Sequence, residues 1–137
     1  MTGALTILII DDDPSVRESL EIVLVHEGYR VLTASDGEAG IQAARTQLPN
    51  LIIVDMMMPF ASGFVVTERL KQHYRLEIPI IMLTANDGEH QRSFAEFLGV
   101  DRYLNKPIRQ RHLLEAVSSL CPGPVPTPTY AGVCRET

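Results

Sequence analysis

The 137-residue sequence predicts an α/β fold, a doubly wound five-stranded parallel sheet with helices on both faces. Two observations predict it. Five short apolar runs alternate with five helical patterns in the order βαβαβαβαβα, which calls for right-handed crossovers. The first, third and fourth runs are nearly unbroken Ile, Leu and Val, as in strands covered on both faces.

The elements follow in order. "LTILII" (5–10) is the first strand. Asp13 caps the next helix and Pro14 opens it; Val16, Leu20, Val23 and Leu24 then recur on one face, and Gly28 is its stop. "YRVLTA" (29–34) is the second strand, and a helix from about Gly37 to Gln47 ends at Leu48-Pro49-Asn50. "LIIVD" (51–55) is the third strand, followed by a helix from about Gly63 to His73. "IPIIMLTA" (78–85) is the fourth, with a helix from about Gly88 to Leu98 stopped by Gly99. "RYLNKP" (102–107) is the fifth, and the last helix, about Arg109 to Leu120, carries Leu113, Leu114, Val117 and Leu120. Residues 121–137, "CPGPVPTPTYAGVCRET", hold prolines at 122, 124, 126 and 128. They cannot continue the helix, so a proline-rich tail or linker, disordered or extended, is expected there.

Composition narrows the function. The formal net charge of −5 argues against a nucleic-acid surface, which should be basic. No apolar run approaches the ~20 residues of a membrane span, and the N-terminus lacks a signal-peptide pattern. Cys121 and Cys134 form neither a metal spacing nor a disulfide framework. A reducing, cytoplasmic setting is expected. Only Lys71 and Lys106 are lysines, so a lysine in a telling place stands out.

In a doubly wound sheet, ligands bind beyond the carboxyl ends of the strands. The first strand ends in Asp11, Asp12 and Asp13, the third in Asp55 and the fourth in Thr84; Lys106 follows the fifth. Each has an ordinary explanation: a strand-end turn, a helix cap for Asp13, β-propensity for Thr84, a solvated charge for Lys106, core filling for Met56, Met57 and Met58. Their convergence on one edge points further. Crowded carboxylates raise each other's pKa, and a hard divalent cation resolves the conflict; oxygen donors suit Mg²⁺. Zinc is disfavoured, because the four histidines are scattered and none pairs with a cysteine. Carboxylates on a metal, one carboxylate free to attack, a lysine and a hydroxyl make a phosphoryl-transfer site.

From about Thr6 to Leu120 the chain resembles the receiver domain of two-component response regulators. The stretches that carry the resemblance are "ILIIDDDPSVR" (7–17), "DGEAG" (36–40), "LIIVDMMMPFASG" (51–63), "IIMLTA" (80–85) and "DRYLNKPI" (101–108). The resemblance implies a flavodoxin-like (βα)5 receiver over residues 1–120, with strand order 2-1-3-4-5. By position, it implies that Asp55 accepts a phosphoryl group from a histidine kinase or histidine phosphotransferase. It makes Asp12 a direct Mg²⁺ ligand, Asp11 a ligand largely through water, and the Met57 carbonyl a third protein ligand. Thr84 and Lys106 contact the phosphoryl group, and Tyr103 is the switch aromatic that turns inward when Thr84 moves to the phosphate. Pro107 is expected after a cis peptide, and Gly63 is the small residue opening the third helix. Met57 and Asn86 occupy the two positions that tune the lifetime of the phosphorylated state. Arg102 departs from the family, where an acidic or small residue is common.

The expected function is a signalling switch, not an enzyme acting on a separate substrate. It changes its face of fourth helix, fifth strand and fifth helix for an unidentified downstream protein, with phosphorylation-dependent homodimerisation open. Direct binding to nucleic acid or membrane is not expected. A phosphoaspartate hydrolase is the alternative enzyme, but it needs an acid two residues after the nucleophile, where Met57 stands. A degenerate, unphosphorylated receiver is the alternative module; it predicts loss of Asp12, Asp55, Thr84 or Lys106, and all four are present.

Overall fold

A computed structural model describes residues 4–85 and 88–121. Five strands, β1 (Thr6–Ile10), β2 (Arg30–Ala34), β3 (Leu51–Asp55), β4 (Ile80–Thr84) and β5 (Arg102–Asn105), form one sheet. All pairs are parallel, in the order β2-β1-β3-β4-β5. The helices are α1 (Pro14–His26), α2 (Gly37–Gln47), α3 (Gly63–Glu68), α4 (Glu89–Leu98) and α5 (Gln110–Leu120).

The apolar runs sort the strands by position. β1, β3 and β4 are central, and their side chains from Ile7, Leu51 and Ile80 onward are buried on both faces. The edge strands β2 and β5 are only partly buried, which is why their sequences mix polar with apolar residues. Alternate side chains divide the core. Leu8, Ile10, Ile52, Val54 and Met82 pack with α2, α3 and α4 through Ile41, Val66 and Ala95, and with Leu70 just beyond α3. Ile7, Ile9, Ile53 and Leu83 pack on the other face with α1 and α5 through Leu20, Leu24, Leu113 and Val117.

The helix ends follow local chemistry. Asp13 caps α1, its carboxylate accepting from the Ser15 N–H at 2.9 Å, with Pro14 at the first position. Asp36 caps α2 through the Ala39 N–H at 2.8 Å. Gly99 ends α4 at φ 107°, a left-handed conformation that glycine adopts without steric penalty. The third helix differs from expectation. Its span is right, but only Gly63–Glu68 is α-helical; Arg69–His73 is a π-helical turn. A π-turn inserts one residue into a helix without changing its apolar spacing enough to be visible in sequence. The expected roles of the tail 122–137, of Cys134 and of Asn86 fall outside the described residues.

Candidate functional site

Three parallel strands bring their carboxyl ends to one edge of the sheet, and the site is built there. Asp11 follows β1, and its N–H donates to the Ala34 carbonyl of β2 at 3.1 Å. That extra sheet-like bond turns the Asp11 side chain inward, where it is fully buried. Its Oδ1 accepts the Asp13 N–H at 2.9 Å, and its carbonyl accepts Arg17 Nη1 at 2.7 Å. Asp12, next along the chain, is exposed. Asp55 ends β3 and is buried, at 5% exposure. One oxygen each of Asp11, Asp12 and Asp55 lies within 4.8 Å of the others.

Lys106 enters this cluster from the β5–α5 connection. Its Nζ stands 3.0 Å from Asp55 Oδ1 and 3.2 Å from Asp11 Oδ2. The Lys106 N–H donates to the Thr84 carbonyl at 2.7 Å, which ties its backbone to the end of β4; the Lys106–Pro107 peptide is cis. Thr84 closes β4 and is fully buried, so the hydroxyl-bearing strand end is tied directly to the lysine.

The electrostatics are those of a crowded anionic pocket. Burial pushes the Asp55 carboxyl above its ordinary range; the Lys106 hydrogen bond pulls it down, and the charges of Asp11 and Asp12 push it up again. Burial alone would lower Lys106, but its hydrogen bond to Asp55 and the charge of Asp11 outweigh that and raise it. Lys106 therefore stays an ammonium, and one lysine faces a cluster of three carboxyl groups. The donor set fits a hard divalent cation: three carboxylates, one of them solvent-facing, with no histidine or cysteine sharing the cluster.

A glycine keeps the turn beyond Asp55 compact. A Cβ on Gly63 would lie 2.5 Å from the Asp55 carbonyl oxygen, and the Gly63 N–H donates to the Met56 carbonyl at 2.9 Å. The start of α3 thus lies against the end of β3, as the expected small residue at 63 requires. Within the methionine run the side chains alternate: Met56 and Met58 are buried, whereas Met57 is 68% exposed. Core filling therefore explains two of the three, and Met57, two residues after Asp55, is left to solvent.

Tyr103 lies on β5 opposite Met82. Its hydroxyl is 3.8 Å from Met56 Sδ, and the Arg92 guanidinium stands over its ring at 5.0 Å. Neither partner was marked by the sequence, because β5 pairs with β4 and not with β3. Phe60 was missed as well. It is fully exposed beside the site at φ 71°, a region that disfavours bulky side chains, and its chain position carried no signal of either.

The comparisons agree with this architecture. The family model of the response regulator receiver domain matches residues 7–118. The chain is 40% identical over 114 residues to the alkaline phosphatase synthesis transcriptional regulatory protein PhoP of Bacillus subtilis, covering 83% of this chain and 47% of that protein. It is 40% identical over 116 residues to the transcriptional regulatory protein GltR of Pseudomonas aeruginosa, covering 84% and 48%. The chain thus spans about half the length of these relatives. Both relatives are named as transcriptional regulatory proteins, whereas the expectation of no nucleic-acid binding is drawn from this segment only. Among solved structures, the chemotaxis protein CheY4 of Vibrio cholerae superposes with a TM-score of 0.82 at 27% identity, covering 86% of this chain and 99% of that one. A CheY-like response regulator receiver domain protein from Methanospirillum hungatei gives 0.80 at 29%, covering 85% and 93%. No helix among the described residues is long and apolar enough to cross a membrane. The chain belongs to the response regulator receiver domain family.

Proposed function

We propose that the chain accepts a phosphoryl group on Asp55 from a protein phosphohistidine, supplied by a histidine kinase or histidine phosphotransferase, and relays that event through its α4–β5–α5 face. The observation that carries the reading is the Asp55 carboxylate, nearly buried at the strand end, held 3.0 Å from Lys106 and crowded by Asp11 and Asp12. An Asp55 oxygen attacks phosphorus, the P–N bond of the donor imidazole breaks, and the donor leaves with the electron pair. Lys106 is placed to exchange its Asp55 contact for a phosphoryl oxygen. Thr84 donates its hydroxyl to the same group. Asp12, Asp55 and the Met57 carbonyl, with Asp11 through water, would hold Mg²⁺, which supplies charge neutralisation at the phosphoryl oxygens.

The chain is a switch that catalyses its own phosphorylation and dephosphorylation, not an enzyme with a separate substrate. Thr84 and Tyr103 carry the change from Asp55 to the output face, and Met57 and Asn86 tune how long it lasts. The downstream partner is a protein or a DNA-binding unit of the kind the names of the longer relatives suggest. A second copy of the chain is a further candidate partner for the α4–β5–α5 face.

Hydrogen exchange with and without beryllofluoride, a phosphoryl mimic, tests the relay. With Mg²⁺ present, protection should change over residues 84–104 as well as around Asp55. Change confined to the neighbourhood of Asp55 would overturn the switch.

A further inference from the structure

We infer that Met56 and Arg92 are positioning residues for Tyr103, biasing its ring inward in the resting protein and setting how readily phosphorylation draws the ring fully inward. The inference rests on the reading of Tyr103 as the switch aromatic.

Three observations converge. The inner end of Tyr103 has a partner: its hydroxyl reaches Met56 Sδ at 3.8 Å, a weak acceptor but a favourable neighbour for an aromatic ring. The outer face has another, the Arg92 guanidinium at 5.0 Å from the ring centroid, within reach of a cation–π attraction. The ring also has somewhere to go. A cleft of about 270 Å³ opens between α4 and β5, lined by Arg92, Glu96, Val100, Asp101, Arg102 and Tyr103.

The two partners belong to different moving parts. Met56 directly follows Asp55 and is pinned at both ends, its N–H donating to the Leu83 carbonyl at 2.8 Å and its carbonyl accepting from Gly63 at 2.9 Å. Its backbone is therefore fixed to the strand end that carries the acceptor carboxylate, and its buried side chain projects from there. Arg92 sits in the first turns of α4, its N–H donating to the Gly88 carbonyl at 3.1 Å. Tyr103 thus bridges the acceptor strand and α4. A displacement of either changes its contacts, and the strength of those contacts sets the resting ratio of inward to outward ring.

The test uses the full chain labelled with 3-fluorotyrosine and read by ¹⁹F NMR, with the Tyr103 signal assigned by its loss in Tyr103→Phe. In resting protein, Met56→Leu, which keeps the apolar volume, and Arg92→Ala, on the exposed face, should each move the Tyr103 signal toward the solvent limit. Each should lower the inward-to-outward ratio about two- to fivefold, and Arg92→Lys should restore part of it. Phosphorylation draws the ring inward, so beryllofluoride with Mg²⁺ should shift the Tyr103 signal in wild type further toward the buried limit. The concentration for half conversion should rise in both variants by no more than the same factor, because a ligand that favours one state is penalised when that state is less populated. A Tyr103 signal that ignores beryllofluoride in wild type overturns the switch and the holding role together. A signal that responds to beryllofluoride but has the same resting position and midpoint in Met56→Leu and Arg92→Ala overturns the holding role alone.

Discussion

Removing the charge of Asp55 should stabilise the metal-free fold, and the site geometry sets the size of the effect. Oxygens of Asp55, Asp11 and Asp12 lie within 4.8 Å of one another. At an effective dielectric of about 20, each like-charge pair at that distance opposes folding by roughly 3.5 kcal/mol. Lys106, at 3.0 Å from Asp55, returns about 5.5 kcal/mol on the same scale. Asp55→Asn deletes two repulsions and one attraction, and also the dehydration of a nearly buried carboxylate. The balance favours the variant by about 1–3 kcal/mol, or roughly 4–10 °C in melting temperature for a domain of this size. The pH dependence has a definite sign. Burial raises the folded pKa of Asp55, so wild type has its full stability below the unfolded carboxylate value of about 4 and loses some as pH rises through the folded value. The advantage of Asp55→Asn should therefore be absent near pH 3, grow across that window and stay level above it. The assay is thermal unfolding of both proteins with a chelator present, from acid to neutral pH. Asp55→Asn equal to or less stable than wild type at neutral pH would refute the electrostatic account of the site.

Four further outcomes are expected. Asp12→Ala should greatly weaken Mg²⁺ binding by calorimetric titration, because it removes the solvent-facing carboxylate of the cluster. Gly63→Ala should destabilise the fold by about 2–3 kcal/mol in denaturant unfolding, since its Cβ would meet the Asp55 carbonyl at 2.5 Å. Lys106→Met should destabilise it by about 3 kcal/mol, because fully buried Asp11 loses its ammonium partner. Met57→Asn should speed loss of phosphate about tenfold, or 1.4 kcal/mol in barrier, as a thioether gives way to a side chain able to orient water; decay after donor removal, with Mg²⁺ present, measures it.

Much of this molecule is legible in its sequence, for physical reasons that differ by element. β1, β3 and β4 announce themselves because central strands must be apolar on both faces, and the helices because Asp13, Pro14 and Gly99 punctuate them. Asp11, Asp12, Asp55, Thr84 and Lys106 could be placed on one edge because a parallel sheet aligns its strand ends. What lay beyond reach depends on distance across the sheet or on local backbone. The Lys106 bridge between Asp55 and Asp11 depends on a connection that folds back over two strands. The Tyr103–Met56 contact crosses from β5 to the end of β3 over the intervening strand. The π-turn at Arg69–His73 and the left-handed Phe60 are backbone states that many sequences adopt only under tertiary constraint.

The central claim is that Asp55 is the single phosphoryl acceptor. Incubation of the full chain with acetyl phosphate or phosphoramidate and Mg²⁺, followed by intact mass measurement, tests it directly. Wild type should gain one phosphoryl mass, lost on treatment with hydroxylamine as an acyl phosphate must be, and Asp55→Asn should gain none. Equal labelling of Asp55→Asn, or no labelling of wild type, would contradict the account.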